Sequence, residues 1–226
     1  MKSNPIFREI LLVTQRREII KKLSGLIANK RQIRVGVIII ADISGFTKFV
    51  TKTDFFVGRY IIQELLSTII ETNKLEFNVS EIEGDAVLFY RFGIPPSLNS
   101  IINQFEDMSL AFHQKLEQIN KTMDAAIELS LKLIAHYGEI AEYSINKFTK
   151  LYGRPVIEAH CLLKNEIQSE QYLLITDELK MAAKNAYTEN YSLKLDEFKR
   201  CDFYKDLRNI SYSYIPYDTN NRGKHI

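Results

Sequence analysis

Apolar positions recur along the chain in two patterns, one with the period of an amphipathic helix and one typical of buried strands. Helical spacing predicts the helices Pro5–Asn29, 57–73, Leu98–Thr122, Gly153–Asn165 and Asp177–Ala186. Short runs rich in Val and Ile predict the strands Gln32–Ala41, Leu75–Ile82, Ala86–Tyr90, Ile127–Ala135, Glu139–Ser144, Tyr172–Thr176 and Ser211–Pro216. Gln32–Ala41 ends on five consecutive apolar residues, which indicates a central strand buried on both faces.

The order of these elements is β-α-β-β-α-β with additions, which predicts an α+β domain with a ferredoxin-like arrangement, an antiparallel or mixed sheet with helices on one face. The turn between the second and third strands contains Glu83-Gly84-Asp85, where Gly84 can supply the positive φ of a tight hairpin. A break is expected at His136-Tyr137-Gly138. We predict three parts: an N-terminal basic amphipathic helix over residues 1–31, one domain over 32–218 and a flexible tail over 219–226.

The composition is that of an ordinary globular protein, with 226 residues of which 46% are hydrophobic and 26% charged. The only cysteines, Cys161 and Cys201, have no C-x-x-C spacing, so neither a disulfide framework nor a zinc site is expected. The longest apolar runs fall far short of the ~20 residues that a membrane-spanning helix needs. We therefore expect a cytoplasmic protein without a transmembrane segment.

The net charge of +2 is unevenly distributed. Residues 1–34 carry nine basic and two acidic side chains, a balance of +7, which leaves −5 on the remainder. The basic segment fits either a solvated helix face, which we favour, or attraction to an acidic surface, a nucleic acid or an anionic lipid. The C-terminal tyrosines are interspersed with acidic as well as basic residues, which favours a packed sheet edge over nucleic-acid binding.

Candidate chemistry lies after two of the predicted strands. Asp42 directly follows the first strand and Asp85 lies in the hairpin, so both carboxylates emerge at one edge if these strands pair. Two neighbouring carboxylates repel unless a cation lies between them, which favours Mg²⁺ or Mn²⁺. The backbone N–H groups of Gly45, Phe46 and Thr47 open a turn towards a helix and can hold phosphate oxygens. Together these residues predict a nucleoside triphosphate bound through two divalent ions, although Asp after a strand is also a common turn former.

Four ordered segments resemble the catalytic domains of class III adenylate and guanylate cyclases. They are Val37–Thr47, Glu81–Leu88, His136–Ile140 and Tyr152–Leu162, and the resemblance spans about residues 35–180. It implies the class III cyclase fold, and a cyclase-like branch of uncharacterised bacterial proteins resembles the chain more closely. It also implies a signalling protein that makes a cyclic nucleotide.

The resemblance assigns roles to individual residues. Asp42 and Asp85 bind both metals through their carboxylates, and Ile43 gives its backbone carbonyl to one of them. Glu81 falls where guanylate cyclases have a base-reading Glu, and a carboxylate accepts hydrogen bonds from guanine. Lys150 falls at the partner base-reading position but matches neither class of cyclase, so the base remains open.

Two departures concern the transition state. The Asn of the family aligns with Ile157 and its Arg with Cys161. Ile forms no side-chain hydrogen bond and Cys carries no positive charge, and losing one such group typically lowers the rate by a factor of roughly a hundred to a thousand. Nearby Arg154, His160 and Lys164 are candidates for compensation.

Three functions therefore stay open. The first is a nucleotide-binding domain with impaired cyclisation, and the second an active cyclase that uses a purine or pyrimidine triphosphate. The third is a non-enzymatic regulatory or scaffold protein. Because the resembling sites are shared between two chains, we expect a homodimer, or a heterodimer with a partner that supplies the missing Asn and Arg.

Overall fold

The computed structural model describes residues 15–24, 33–187, 198–205 and 207–217. The chain divides into two compact units, Met1–Ile33 and Arg34–Ile226. In the first unit, residues 15–24 form helix α1, which lies within the predicted helix Pro5–Asn29, whose remaining residues are outside the described part. The predicted tail 219–226 also lies outside the described residues.

The second unit is an α+β domain whose described strands form one sheet, as the sequence predicts. Its elements follow the chain as β1 (Ile33–Ser44), α2 (Phe46–Lys52), α3 (Phe55–Glu71), β2 (Asn78–Glu83), β3 (Ala86–Phe92), α4 (Leu98–Met123), β4 (Ser130–Ile145), β5 (Phe148–Tyr152), α5 (Arg154–Leu162), β6 (Tyr172–Thr176), α6 (Asp177–Ala186), β7 (Lys199–Phe203) and β8 (Asn209–Pro216). The strand order is β2-β3-β1-β4-β6-β8-β7, with β5 paired to β4.

Strand β1 lies inside this sheet, between β3 and β4, and is buried on both faces, which confirms the expectation from its apolar run. Val37, Ile39 and alternate residues after them pack in one cluster with apolar side chains of α3, α4 and α6. Ile38 and Ile40 face the opposite side, where their cluster includes residues of α5. Because side chains alternate along a strand, continuous burial requires helices on both faces.

Local sequence signals explain several helix boundaries. Asp54 caps α3 by accepting hydrogen bonds from the N–H groups of Phe56 and Val57, at 3.0 and 3.2 Å. Ser97 caps α4 in the same way through the N–H of Ser100. A Cβ atom on Gly138 would lie only 2.5 Å from Cγ of Pro155. Gly138 therefore permits the close approach of α5 to β4.

The structure corrects five details of the sequence prediction. Helices pack on both faces of the sheet, where the sequence predicted them on one. Strand β1 continues to Ser44, so Asp42 lies within the strand. The segment after Gly45 forms the short helix α2, where the sequence predicted only a turn. No break occurs at 136–138, since β4 runs without interruption from Ser130 to Ile145. Strands β5 and β7 were not predicted, because polar or charged residues interrupt the apolar ones in each of these five-residue segments.

Candidate metal and nucleotide site

Asp42 and Asp85 are held close together by the pairing of β1 with β3. The strands are antiparallel, and Asp42 lies opposite Ala86, the residue after Asp85. The N–H of Ile43 donates a hydrogen bond to the backbone oxygen of Asp85 at 3.2 Å. Gly84 has a φ of 61°, which gives β2 and β3 a two-residue connection and sets Asp85 at its end.

The two carboxylates interact electrostatically. Partial burial raises the pKa of Asp85 above its ordinary value, and the negative charge of Asp42 raises it further. Repulsion between two acids of this kind is relieved by a proton or by a cation. The position between Asp42 and Asp85 therefore favours positive charge.

A cation that the sequence did not predict already lies beside Asp42. Nζ of Lys132, on the neighbouring strand β4, is 2.9 Å from Oδ2 of Asp42. The side chain of Lys132 is only 19% exposed and that of Asp42 only 14%. Burial by itself lowers the pKa of Lys132, but the hydrogen bond to Asp42 and the negative charges around it together outweigh this effect, and the pKa lies above its ordinary value. Because side chains alternate along a strand, the sequence could have placed Lys132 on the same face as Asp42, but only if β4 were known to lie next to β1.

Gly45, Phe46 and Thr47 lie at the start of α2. Gly45 has a φ of 87°, and a Cβ there would lie 3.2 Å from the backbone oxygen of Glu128. Its carbonyl accepts the N–H of Phe49 at 3.0 Å, and Phe46 packs against the larger apolar cluster. The turn predicted for phosphate binding thus follows Asp42 by three residues, at the end of the same strand.

Glu81 and Lys150, the two predicted base-reading residues, form an ion pair with each other. Glu81 lies on β2, next to a bulge between Val79 and Glu81, and Lys150 lies on β5. The hydrogen bond to Glu81 raises the pKa of the Lys150 ammonium. The structure therefore brings together two residues that lie far apart in the sequence.

Ile157 and Cys161 lie on α5, four residues apart. The side chain of Ile157 is 55% exposed, and Cys161 is half-buried. Arg154, a candidate for compensation, pairs instead with Glu158, with Nε 3.2 Å from Oε1. This arrangement leaves an apolar side chain on the surface at the position where the cyclase motif has Asn.

A buried polar network beneath α5 was not predicted from the sequence. Nε2 of His136 lies 2.9 Å from Oε2 of Glu158, and Nδ1 of His136 lies 2.8 Å from the hydroxyl of Thr176. Arg208 donates to both carboxylate oxygens of Glu158, at 2.7 and 3.1 Å, and also pairs with Glu178. Both ring nitrogens of His136 thus have hydrogen-bond partners inside the fold. Its partners are 22 or more residues away, so no local motif reveals them.

The residues at the Asp42 end of β1 suit a hard divalent ion. Two carboxylates and a backbone carbonyl offer only oxygen atoms, and Mg²⁺ is commonly held by one or two carboxylates together with substrate phosphates. Within the described ranges, three or more His, Cys, Asp or Glu side chains nowhere cluster as a metal site. The residues therefore fit an ion whose coordination a nucleotide completes.

Comparison with known proteins first defines the class of fold. The guanylyl cyclase Cya2 is similar in structure, with a TM-score of 0.61 and 15% identity over 84% of this chain and 96% of its own. A class III adenylyl cyclase-like ATP-binding protein from Pseudomonas aeruginosa has a TM-score of 0.54 and 17% identity, over 66% of this chain and 35% of its own. The chain therefore has the fold of class III nucleotidyl cyclase domains.

The sequence comparisons are narrower. Residues 62–172 match a family described as a protein of unknown function (DUF2652). An uncharacterised protein of Mycobacterium tuberculosis is 32% identical over 121 residues, which are 50% of this chain. The chain spans 56% of the length of that curated relative. Across the described part of the chain, helices fall short of the length and apolarity that crossing a membrane requires.

Proposed function

We propose that this protein is a divergent class III nucleotidyl cyclase-like domain that binds a nucleoside triphosphate through two divalent ions, Mg²⁺ or Mn²⁺. Asp42 and Asp85 hold the ions through their carboxylates, together with the backbone carbonyl of Ile43. The backbone of Gly45, Phe46 and Thr47 receives the phosphates. The bound ions supply neutralisation of the phosphate charge.

The observation that carries this proposal is the pairing of β1 with β3, which brings Asp85 beside Asp42. Carboxylates from β1 and from the adjoining hairpin are thereby brought together at one end of these strands. The ATP-binding protein from Pseudomonas aeruginosa, which is similar in fold, supports nucleotide binding as the function. In the present chain, nucleotide binding is the step for which the required residues are intact.

Cyclisation is expected to be slow. When the ribose O3′ bonds to the α-phosphorus and pyrophosphate leaves, negative charge develops on phosphate oxygens and needs aimed donors. Ile157 and Cys161 supply neither an amide nor a guanidinium, and Arg154 is engaged by Glu158. The role of the domain is then regulatory nucleotide binding rather than rapid turnover.

The ion pair of Glu81 with Lys150 bears on the choice of base. A carboxylate that already accepts from an ammonium has less capacity left for guanine N1–H and N2–H₂. We expect Lys150→Ala to free Glu81 and to raise the affinity for GTP relative to ATP. Unchanged relative affinities would argue that this pair does not contact the base.

The proposed assembly is a homodimer, or a heterodimer with a cyclase-like partner that supplies the missing Asn and Arg. The exposure of Ile157 is compatible with either, because this position is free to face a second chain. Light scattering of the purified protein distinguishes a monomer from a dimer. Product formation only after addition of such a partner would identify the heterodimer.

The proposed binding is tested by calorimetry with non-hydrolysable analogues of ATP and GTP in the presence of Mn²⁺. Wild-type protein should bind at least one analogue, and Asp42→Ala with Asp85→Ala should abolish the metal-dependent part. Asp107→Asn is the matched control. Asp107 forms an ion pair of 2.8 Å with Lys74, and neither residue belongs to β1 or β3. Equal binding by wild type and the double variant would refute the site.

The alternative of an active cyclase is separated by incubating the wild type with each of the four triphosphates and Mn²⁺, followed by product analysis. Rapid formation of a cyclic nucleotide would contradict impaired cyclisation and would require a substitute for the missing Arg. Slow or absent product with retained binding would agree with the proposal.

A further inference from the structure

Lys132 is the basic side chain in contact with the proposed metal site. Strand β1 lies between β3 and β4. Asp42 therefore has Asp85 on the side of β3 and Lys132 on the side of β4. Nζ of Lys132 lies 2.9 Å from Oδ2 of Asp42, and its charge also interacts with Asp85. The ammonium group of Lys132 therefore contacts one carboxylate and acts on the second at longer range.

The surroundings of Lys132 make this contact unlike an ordinary surface ion pair. Its neighbours Leu131 and Leu133 point into the larger apolar cluster, and Ile134 belongs to the smaller one. By alternation Lys132 shares the face of Ile134, which is also the face of Ile38, Ile40 and Asp42. Tyr172, which is almost fully buried on β6, interacts electrostatically with both Lys132 and Asp42. A charged group that is largely buried is stable only when an opposite charge pairs with it.

We propose that Lys132 acts as an internal counter-ion that occupies the metal position beside Asp42, so that a divalent ion binds only by displacing its ammonium group. This inference rests on the proposed function, because it assumes that Asp42 and Asp85 receive the ion. It adds a competition within the chain: the same carboxylate oxygens bind either Nζ or the metal. The lysine thereby lowers the affinity for metal and keeps the two carboxylates compatible without one.

The competition has a physical basis in charge and geometry. An ammonium group is a compact point charge with three donors, and it can bridge carboxylates much as a small cation does. A divalent ion attracts each carboxylate more strongly but first has to break the hydrogen-bonded pair. Hydrogen bonds to charged groups contribute about 1.5–3 kcal/mol, so removal of the lysine should tighten metal binding by about tenfold or more.

The direct test measures Mn²⁺ alone, without nucleotide, by calorimetry and by the spin resonance of free Mn²⁺. Lys132→Met preserves the length of the side chain and removes its charge. The matched control is Lys115→Met, because Lys115 forms a comparable half-buried ion pair with Glu64 at 3.2 Å, between α4 and α3. Lys132→Met should bind Mn²⁺ about tenfold more tightly than wild type, and Lys115→Met should match wild type.

A second measurement uses the wild-type protein and needs no variant to fold. Amine-reactive labelling followed by mass spectrometry reports how readily each lysine reacts. Addition of Mn²⁺ should accelerate labelling of Lys132, because its ammonium group leaves Asp42, while the labelling of Lys115 should stay constant. Tight Mn²⁺ binding with unchanged labelling of Lys132 would overturn the proposal.

The outcomes separate this inference from the function on which it rests. Equal or weaker Mn²⁺ binding by Lys132→Met, with wild type still binding the metal–triphosphate pair, overturns the counter-ion and leaves the proposed function standing. No metal-dependent binding by any variant, with or without triphosphate, overturns both. Tighter binding by Lys132→Met together with faster labelling in wild type supports the displacement.

Discussion

Replacing Glu158 with glutamine removes one charge from the buried network beneath α5 and changes little else in shape. Glu158 is 1% exposed and receives hydrogen bonds from His136 and Arg208. Burial by itself raises the pKa of this carboxyl group, but the hydrogen bonds from His136 and Arg208 and the electrostatic attraction to both together outweigh it and lower the pKa to about 2. The ionised form is therefore strongly favoured in the folded chain.

The size of the effect follows from the shift in the pKa of Glu158. The ordinary pKa of a glutamate side chain is 4.5, and each pKa unit corresponds to about 1.36 kcal/mol. The ionised carboxylate therefore contributes about 3 kcal/mol to the free energy of unfolding at pH 7. Because the pKa is lower in the folded state, the contribution is complete above pH 4.5 and disappears as the pH falls towards 2. At pH 3.5 about 2 kcal/mol should remain.

Urea unfolding of wild type and Glu158→Gln between pH 7 and pH 3.5 measures this contribution. We expect the variant to be less stable by about 3 kcal/mol at pH 7, with a gap that narrows in acid. Glu64→Gln is the control, since the half-buried Glu64–Lys115 pair should contribute less than about 1 kcal/mol. A gap below 1 kcal/mol at pH 7, or one that widens in acid, would refute this account of the network.

Three further predictions concern the site, the hairpin and the core. The double variant Ile157→Asn with Cys161→Arg should raise cyclase activity by ~100-fold or more if these positions are the main defect, as product assays and thermal melting together will show; a folded, nucleotide-binding variant without product would contradict it. Gly84→Ala should cost about 1–2 kcal/mol in urea unfolding, because φ is 61° while a Cβ there meets no atom within 4 Å; a cost above 3 kcal/mol would point to a packing role. Phe112→Ala, at a fully buried position on α4, should lower stability by about 3–5 kcal/mol, and a smaller loss would mean that the cavity collapses.

The fold was predictable because its main signals are local. The apolar run before Asp42, the helical spacing in α3 and α4, and the glycine in the hairpin each depend on neighbours within a few residues. Strand Tyr172–Thr176 and helix Asp177–Ala186 agree with the prediction to the residue. At His136-Tyr137-Gly138, however, glycine indicated a break, whereas the structure uses Gly138 to admit Pro155 against a continuous strand.

The site was only partly predictable because its electrostatics are not local. Asp42 and Asp85 follow from the order of strands, but the partner of Asp42 is Lys132, which comes from a strand 90 residues later in the chain. Glu81 and Lys150 also form a pair between residues far apart in the sequence, as do Glu158 and Arg208. Such pairs become visible only when the order of strands in the sheet is known. The domain boundaries and the roles of the site residues stay predictions.

The arrangement of strands also determines how this sheet meets other chains. Among the described strands, β2 and β7 form the ends of the order, where unpaired backbone groups invite the addition of another strand. β2 is short, carries Glu81 and Glu83 and contains a bulge, while β7 has only five residues with Lys199, Arg200 and Asp202 among them. Charged side chains and a bulge disfavour side-by-side strand pairing. Addition of a strand from another chain at β2 or β7 is therefore disfavoured, which protects the sheet from edge-to-edge aggregation.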